Sequence, residues 1–136
     1  TNNLINKYYN IDKNKLFRVF DVYKKKLNFF EEIINYLDVY FNKNYKFINN
    51  QKFENTFNNI FADFVSKLKL IEEWESENID NLIKNFLIEN KIKFPAFGKP
   101  LRFILINTYN GPSLSDIFVI LGKKVSIDRL NQYIID

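Results

Sequence analysis

Apolar residues in the first half of this chain recur at alternating spacings of four and three positions, which is the repeat of one face of an α-helix. The first series is Leu16, Phe20, Tyr23, Leu27, Phe30, Ile34, Leu37 and Phe41. Inside it, Asn28 followed by Glu31 has the capping-box spacing that begins a helix. The series therefore predicts two helices with one buried face, over about residues 13–25 and 29–41.

A second series predicts a third long helix, which follows an asparagine-rich loop at residues 41–50. Its apolar positions are Phe53, Phe57, Ile60, Phe61, Phe64, Leu68 and Ile71. Farther on, Ser76 is predicted to cap the N-terminus of a fourth helix. The apolar positions of that helix are Ile79, Leu82, Ile83, Phe86 and Leu87. We expect aromatic residues at such positions to form a core rather than stacking platforms for bases.

All three prolines and all three glycines lie in the last third of the chain, which predicts short helices joined by defined turns. Pro100 suits the first position of a helix, because its missing N–H is not needed there, and it places Arg102 in the first turn. Asn110-Gly111 is predicted to end this helix, and Pro112 prevents its continuation.

Two further helices are predicted to follow. Ser113 with Asp116 forms the N-cap of the first of them, and Gly122 ends it. Ser126 is predicted to begin the last helix, which runs through Ile135. The chain is therefore predicted to be all-α, with a bundle of longer helices followed by a compact cluster of short ones.

Composition excludes several kinds of chemistry. The 136 residues include no cysteine and no histidine, so there is no thiolate nucleophile, disulfide, imidazole base or imidazole metal ligand. No apolar run reaches the roughly 18 residues of a membrane span, and no signal-peptide pattern is present. A soluble, cytoplasmic protein is therefore expected. Four carboxylates lie close together without a basic partner, and we expect them to be surface charge: Glu72, Glu73, Glu75 and Glu77.

The net charge of +4 and the pI near 9.1 would suit a nucleic-acid partner. However, lysine and asparagine are abundant while alanine and arginine are scarce, which is typical of an AT-rich genome and weakens that inference. The three arginines are then the better candidates for planar, bidentate contacts that lysine cannot make. The chain begins with Thr1 and has no methionine, so we expect it to be a piece of a longer protein.

Five short motifs in the second half of the chain occur together in one known family. They are Trp74-Glu75-Ser76, Pro100-Leu101-Arg102, Gly111-Pro112 with Leu114, Leu121-Gly122-Lys123 and Arg129-Leu130. In order and spacing they resemble the C-terminal anticodon-binding region of bacterial glutamyl-tRNA synthetase, a class I aminoacyl-tRNA synthetase. Residues 24–32 are loosely similar to an Arg-x-x-Thr-Leu segment of that family, with Lys26 where the arginine is expected.

The resemblance implies a fold and a partner. The fold is a bundle domain, residues 1–72, followed by a cage-like helical domain, residues 73–136. The implied partner is tRNA, which the domain binds through the anticodon stem-loop. The domain is expected to act as a monomer and not to associate with a membrane. By the same resemblance this fragment is not catalytic and holds no cofactor or metal. The parent enzyme is a ligase that attaches glutamate to tRNA(Glu) with ATP and Mg²⁺.

The resemblance also implies a site. Arg102 falls on the family's anticodon-reading arginine, while Gly111, Pro112 and Leu114 fall on a turn that contacts anticodon bases. On the predicted helix, the arginine and the turn would stand at opposite ends, about 13 Å apart, which suits two splayed bases of a single-stranded loop. Contacts to the RNA backbone are implied for five lysines: Lys24, Lys25, Lys26, Lys123 and Lys124.

Two other classes of function remain as alternatives. One is a helical protein-interaction module without an RNA role, in which apolar faces bind a partner and the charge is incidental. The other is a small enzyme that uses carboxylates alone. The second is disfavoured, because no pair of acidic residues lies among apolar neighbours that could separate their pKa values.

Overall fold

The computed structural model describes residues 13–23, 37–46 and 53–134, and all regular secondary structure in these ranges is helical. The helices are α1 (Lys13–Tyr23), α2 (Asn55–Lys69), α3 (Ser76–Glu89), α4 (Phe94–Ile106), α5 (Leu114–Leu121) and α6 (Lys123–Ile134). None of these six is both long enough and apolar enough to cross a lipid bilayer. The predicted all-α class is confirmed.

The chain divides into two compact units, Thr1–Tyr45 and Lys46–Asp136. The second unit contains α2 to α6 and carries the predicted base-contacting residues. The division into domains 1–72 and 73–136, which the family resemblance implies, remains a prediction.

In the first unit, α1 covers most of the first predicted helix, and Val19 on it is fully buried. Residues 37–41 are helical and form the described end of the second predicted helix. The Nζ atom of Lys15 lies 5.1 Å from the ring centroid of Phe41. The predicted capping box at Asn28 lies outside the described residues.

An aromatic cluster forms the centre of the second unit. Phe97 on α4 is fully buried. Its ring centroid lies 4.9 Å from that of Phe64, 5.4 Å from that of Phe57 and 5.5 Å from that of Phe86. Phe57 and Phe64 belong to α2 and Phe86 belongs to α3, so three helices meet at this ring. The predicted assignment of Phe57, Phe64 and Phe86 to the core is confirmed, and Phe97, which lies outside the predicted series, is at its centre.

The start of α3 differs from its prediction by one residue. Trp74 Nε1 donates a 2.7 Å hydrogen bond to the carbonyl of Phe118, and the two rings meet edge to face. Because Trp74 is anchored in this way, Glu75 is the last residue to remain extended, with φ −124° and ψ 152°. Ser76 is therefore the first helical residue, and its predicted role as the N-cap is wrong.

The start of α4 differs more from its prediction. The helix begins at Phe94, with Pro95 in its second position, so Pro100 lies inside the helix rather than at its start. Both prolines suit a first turn, and the earlier one takes that place. Pro100 then removes one backbone hydrogen bond, the one that its absent N–H would have donated to the Ala96 carbonyl. Arg102 consequently lies deep in the helix and not in its first turn.

The end of α4 also precedes the predicted Asn110-Gly111 step. Asn107 adopts the left-handed conformation, with φ 59° and ψ 24°, and its N–H donates to the Phe103 carbonyl at 2.8 Å. Asparagine tolerates this conformation better than most residues. The sequence offers two asparagines of this kind, and the first of them ends the helix.

The predictions for α5 and α6 are confirmed in part. Ser113 Oγ accepts a 3.3 Å hydrogen bond from the backbone N–H of Asp116, and Gly122 ends α5, as predicted. The next helix begins at Lys123, directly after this glycine, so the predicted start at Ser126 is wrong. Ser126 is fully buried within α6, and its hydroxyl lies 3.4 Å from a carbonyl oxygen of α5, which satisfies it without a capping role.

Gly122 lets α6 follow α5 without a linker, because its φ of 82° and ψ of 162° are accessible almost only to glycine. Gly122→Ala is expected to lower the free energy of unfolding by about 1 to 3 kcal/mol through backbone strain, although a methyl group would meet no atom within 4 Å. Urea denaturation measures this loss. Asn85→Ala, at an exposed position of α3, is the control and should change stability by less than about 0.5 kcal/mol. Equal losses in the two variants would show that Gly122 carries no such constraint.

Candidate nucleic-acid interface

Residues 107–113 connect α4 to α5 and contain the turn predicted from the sequence; we call them the 107–113 loop. The loop begins at the left-handed Asn107 and ends at Ser113, the N-cap of α5. Within it, the backbone N–H of Asn110 donates to the hydroxyl of Thr108 at 3.3 Å. A helix end on each side therefore determines where the loop starts and stops.

Arg102 on α4 donates two hydrogen bonds to backbone carbonyls of this loop. Its Nε donates to the Pro112 carbonyl at 3.2 Å, and its Nη1 donates to the Tyr109 carbonyl at 3.0 Å. The arginine and the turn therefore lie side by side, and the prediction that they stand about 13 Å apart at the two ends of one helix is wrong. The reason is the early end of α4, since the loop that follows can fold back over the helix.

Gly111 and Pro112 form the turn itself. Gly111 has a φ of 156°, which favours glycine. A Cβ atom added there would lie 3.4 Å from Ile106 Cδ1 and 3.7 Å from Arg102 Cδ, which are ordinary contact distances. Backbone conformation, more than lack of space, therefore favours glycine at this position. Pro112, the other residue of the turn, is buried.

Tyr109 gives the loop a second anchor. Its ring is stacked on that of Phe103, with the centroids 4.7 Å apart and the planes inclined by 23°. Phe103 is 5% exposed, whereas Tyr109 is half-buried and the next residue, Asn110, is exposed. The exposed crest of the loop is therefore short, and it lies between two anchored residues, Tyr109 and Pro112.

Leu114 lies where α5 begins, and its side chain is 2% exposed. In this position it packs into the core directly after the loop. The base contact implied for Leu114 remains a prediction, and its burial argues against a contact through the side chain, which offers no surface to RNA.

The predicted phosphate-binding lysines differ in their surroundings. The Nζ atom of Lys123 donates to the Ile71 carbonyl at 2.6 Å and is half-buried. Lys124 is exposed, and its Nζ lies 2.7 Å from Asp128 Oδ2 in a surface pair that contributes at most about 1 kcal/mol. Lys124 can therefore exchange this partner for a phosphate, whereas Lys123 first has to release a backbone contact. The lysines at residues 24–26 lie outside the described residues.

The acidic segment around the start of α3 has the exposure expected of surface charge. In the part of the chain that the structure describes, no three acidic side chains are grouped as metal ligands. All four carboxylates of the segment are exposed: Glu72, Glu73, Glu75 and Glu77.

Arg129 is a residue near this site whose role was not predicted from the sequence. It is 3% exposed on α6, and its Nη1 donates to the Leu105 carbonyl at 2.7 Å, close to the start of the 107–113 loop. The sequence signals at this position were the scarcity of arginine and the Arg129-Leu130 motif, and neither indicated a backbone partner. Two of the three arginines therefore bind backbone carbonyls in or next to the loop.

The chain belongs to the anticodon binding domain family, whose family model matches residues 2–134. Among its relatives, the glutamate–tRNA ligase of Mycoplasma capricolum subsp. capricolum is 30% identical over 113 residues, which are 81% of this chain and 23% of that protein. The glutamate–tRNA ligase of Flavobacterium johnsoniae is 32% identical over 75 residues, which are 55% of this chain and 15% of that protein. The chain thus spans about a quarter or less of the length of these curated relatives. The resemblance identified from the sequence motifs is confirmed.

Two solved structures share the fold. One is a glutamate tRNA ligase from Elizabethkingia meningosepticum in complex with its amino acid, with a TM-score of 0.82 at 17% identity over 98% of this chain and 27% of that one. The other is the glutamate–tRNA synthetase of Elizabethkingia anophelis, with a TM-score of 0.72 at 17% identity over 98% and 26%. At this identity the likeness establishes the fold alone.

Proposed function

We propose that this chain is the anticodon-recognition domain of a glutamate–tRNA ligase and that it binds the anticodon stem-loop of tRNA(Glu). The observation that carries the proposal is the 107–113 loop, bonded to Arg102, in a chain of the anticodon binding domain family. Sequence-specific RNA recognition mostly targets single-stranded loops with splayed bases. A short exposed crest between anchored residues suits such a target.

In this proposal the selection of bases falls to one small surface. Gly111 and Asn110 present backbone and amide groups at the crest of the loop, while Arg102 and Pro112 lie directly behind them. Leu114 packs into the core directly after the loop. Backbone donors and acceptors of a fixed loop can distinguish base edges, because a wrong base leaves a polar group without its partner.

Phosphate contacts would position the stem without reading its sequence. We assign them to five lysines, which remain the candidates from the sequence: Lys24, Lys25, Lys26, Lys123 and Lys124. The net charge of +4 on the chain supports long-range attraction of the RNA. Of the two described lysines, Lys124 is the more accessible.

Catalysis would take place in the rest of the ligase. The parent protein would join glutamate to tRNA(Glu) with ATP and Mg²⁺ in the cytoplasm, and this domain would act as a monomeric recognition module without a cofactor of its own. The absence of histidine from the 136 residues agrees with this division, because a His-Ile-Gly-His type nucleotide-binding motif cannot lie within them. A bound anticodon would aid catalysis only by holding the acceptor end in place.

Two RNA hairpins that share the same stem sequence and differ in their loops test this function. One carries the tRNA(Glu) anticodon loop and the other carries a scrambled loop, and fluorescence anisotropy gives the dissociation constant of each. We expect weak binding with a clear preference for the tRNA(Glu) loop, because phosphate contacts are common to both hairpins and base contacts are not. Binding to neither hairpin, together with salt-insensitive binding to a protein, would instead identify the helical protein-interaction module.

Replacement of Lys24, Lys25 and Lys26 together by alanine is expected to flatten the salt dependence of tRNA binding. The log–log slope should fall by about 0.7 to 0.9 for each phosphate that the protein no longer neutralises, while the preference between the two hairpins stays the same. The matched control removes three exposed lysines elsewhere, Lys43, Lys69 and Lys84. If both triple variants show the same slope, the run at residues 24–26 is only a solvated surface.

A further inference from the structure

The guanidinium group of Arg102 is engaged with the protein itself. Two of its three nitrogens donate to carbonyl oxygens of the 107–113 loop, at 3.2 Å to Pro112 and 3.0 Å to Tyr109. Hydrogen bonds from a charged donor are stronger than neutral ones. Tyr109 and Pro112 lie on either side of the crest of the loop, which consists of the exposed Asn110 and the half-buried Gly111.

The rest of the loop is held at other points. Its start is fixed by the left-handed Asn107 and by Arg129, which donates to the Leu105 carbonyl. Its end is fixed by the Ser113 cap of α5. The Tyr109 ring stack and the N–H bond of Asn110 are further contacts within the loop. The Arg102 bonds tie both sides of the crest to α4.

We propose that Arg102 is a positioning residue for anticodon recognition and acts through the 107–113 loop. By holding the Tyr109 and Pro112 carbonyls, it keeps the backbone of Asn110 and Gly111 in one conformation before RNA binds. A preformed loop gives higher affinity, because less conformational entropy is lost when the complex forms. This inference rests on the proposed function, and it replaces the direct contact between Arg102 and a base that the family resemblance implies.

The two roles of an arginine predict different patterns of loss. An arginine that reads one base edge affects one anticodon position. The binding free energy lost when it is replaced adds to that lost through a separate change in the loop. An arginine that positions the loop affects every anticodon position that the loop reads. The binding free energy lost when it is replaced does not add to that lost through a change in the same loop. The additivity of the two losses therefore distinguishes the roles.

A double-mutant cycle with Arg102→Ala and Gly111→Ala measures this additivity. Arg102→Ala is expected to raise the dissociation constant for the tRNA(Glu) hairpin about tenfold or more. The double variant should bind about as weakly as the weaker single variant. In Arg102→Ala, the loss of affinity caused by changing one anticodon base should become smaller by the same factor at every position that the loop reads. A loss in the double variant equal to the product of the two single losses, or confined to one anticodon position, would overturn the proposal.

Amide hydrogen exchange in the free chain tests the same role without RNA. Exchange at Asn110 and Gly111 should be faster in Arg102→Ala and in Arg102→Lys, since the compact ammonium of lysine does not reproduce the planar fork. Exchange at the α2 amides should stay unchanged, which excludes general unfolding. Arg18→Ala removes an exposed arginine of α1 and is the matched control.

The two measurements separate the possible failures. If Arg102→Ala leaves exchange in the loop unchanged, the positioning role is wrong whether or not the chain binds RNA. If exchange rises but the unaltered chain binds neither hairpin, the structural role of Arg102 is upheld, while the proposed function fails and its part in anticodon recognition fails with it.

Discussion

Phe97→Ala is expected to lower the free energy of unfolding by about 3 to 5 kcal/mol, the usual cost of removing a buried phenyl ring. Phe97 is fully buried, and its ring lies within 5.5 Å, centroid to centroid, of the rings of Phe57, Phe64 and Phe86. Those rings come from two different helices, so a cavity at Phe97 weakens the packing of α4 against both. A shift of one neighbouring helix cannot fill this cavity, because two helices border it.

Phe94→Ala is the matched control, since it removes the same side chain from the same helix. Phe94 is 43% exposed, and its loss should cost about 1 to 2 kcal/mol, because it buries a smaller apolar area and leaves no enclosed cavity. Urea denaturation of both variants measures the difference. Similar losses in the two variants would contradict the assignment of the aromatic cluster as the centre of the core.

Leu114→Asp is expected to lower the free energy of unfolding by several kcal/mol or to prevent folding. The side chain is 2% exposed, and an ionised carboxylate in such a place loses its hydration without a paired charge. This outcome differs from that of a base-contacting residue, whose substitution would weaken RNA binding and leave stability unchanged.

Ser113→Asp places the same charge one residue earlier and is the control. Ser113 is exposed, and aspartate is as good an N-cap as serine, with an added favourable interaction with the helix N-terminus. Its stability should therefore change by less than about 0.5 kcal/mol, while binding to both hairpins should weaken through repulsion of phosphate. A Leu114→Asp variant as stable as Ser113→Asp would show that Leu114 faces solvent.

The long helices and their buried faces could be predicted because the information is local. A residue such as Phe57 or Phe64 is recognised by its spacing from its neighbours, and the same spacing places it on the core side of α2. The caps at Ser113 and Gly122 were predicted for a similar reason, since each depends on a few adjacent residues.

The bounds of α4 could not be predicted, because equivalent local signals compete. Pro95 and Pro100 both suit a first turn, and Asn107 and Asn110 both tolerate a left-handed end. The structure uses the first of each pair. This choice changes the geometry of the site, since it moves Arg102 into the body of the helix and leaves a loop long enough to reach it.

Contacts between residues that are distant in the chain also could not be predicted from the sequence. The Nζ atom of Lys123 binds the carbonyl of Ile71, 52 positions earlier, and Arg129 binds the carbonyl of Leu105. Nothing in the spacing of these residues indicates a backbone acceptor, because the pairing depends on how α4, α6 and the chain before α3 pack. The sequence therefore indicates a cation at Lys123 but not the backbone carbonyl that it contacts.

Chemical-shift mapping of the ¹⁵N-labelled chain with the tRNA(Glu) anticodon hairpin tests most directly whether the 107–113 loop binds the anticodon. The largest changes are expected at the backbone amides of Tyr109, Asn110 and Gly111 and at the Nε–H of Arg102, and the scrambled hairpin should leave these signals nearly unchanged. Perturbations that avoid the loop, or that are the same for both hairpins, would contradict anticodon recognition by this loop.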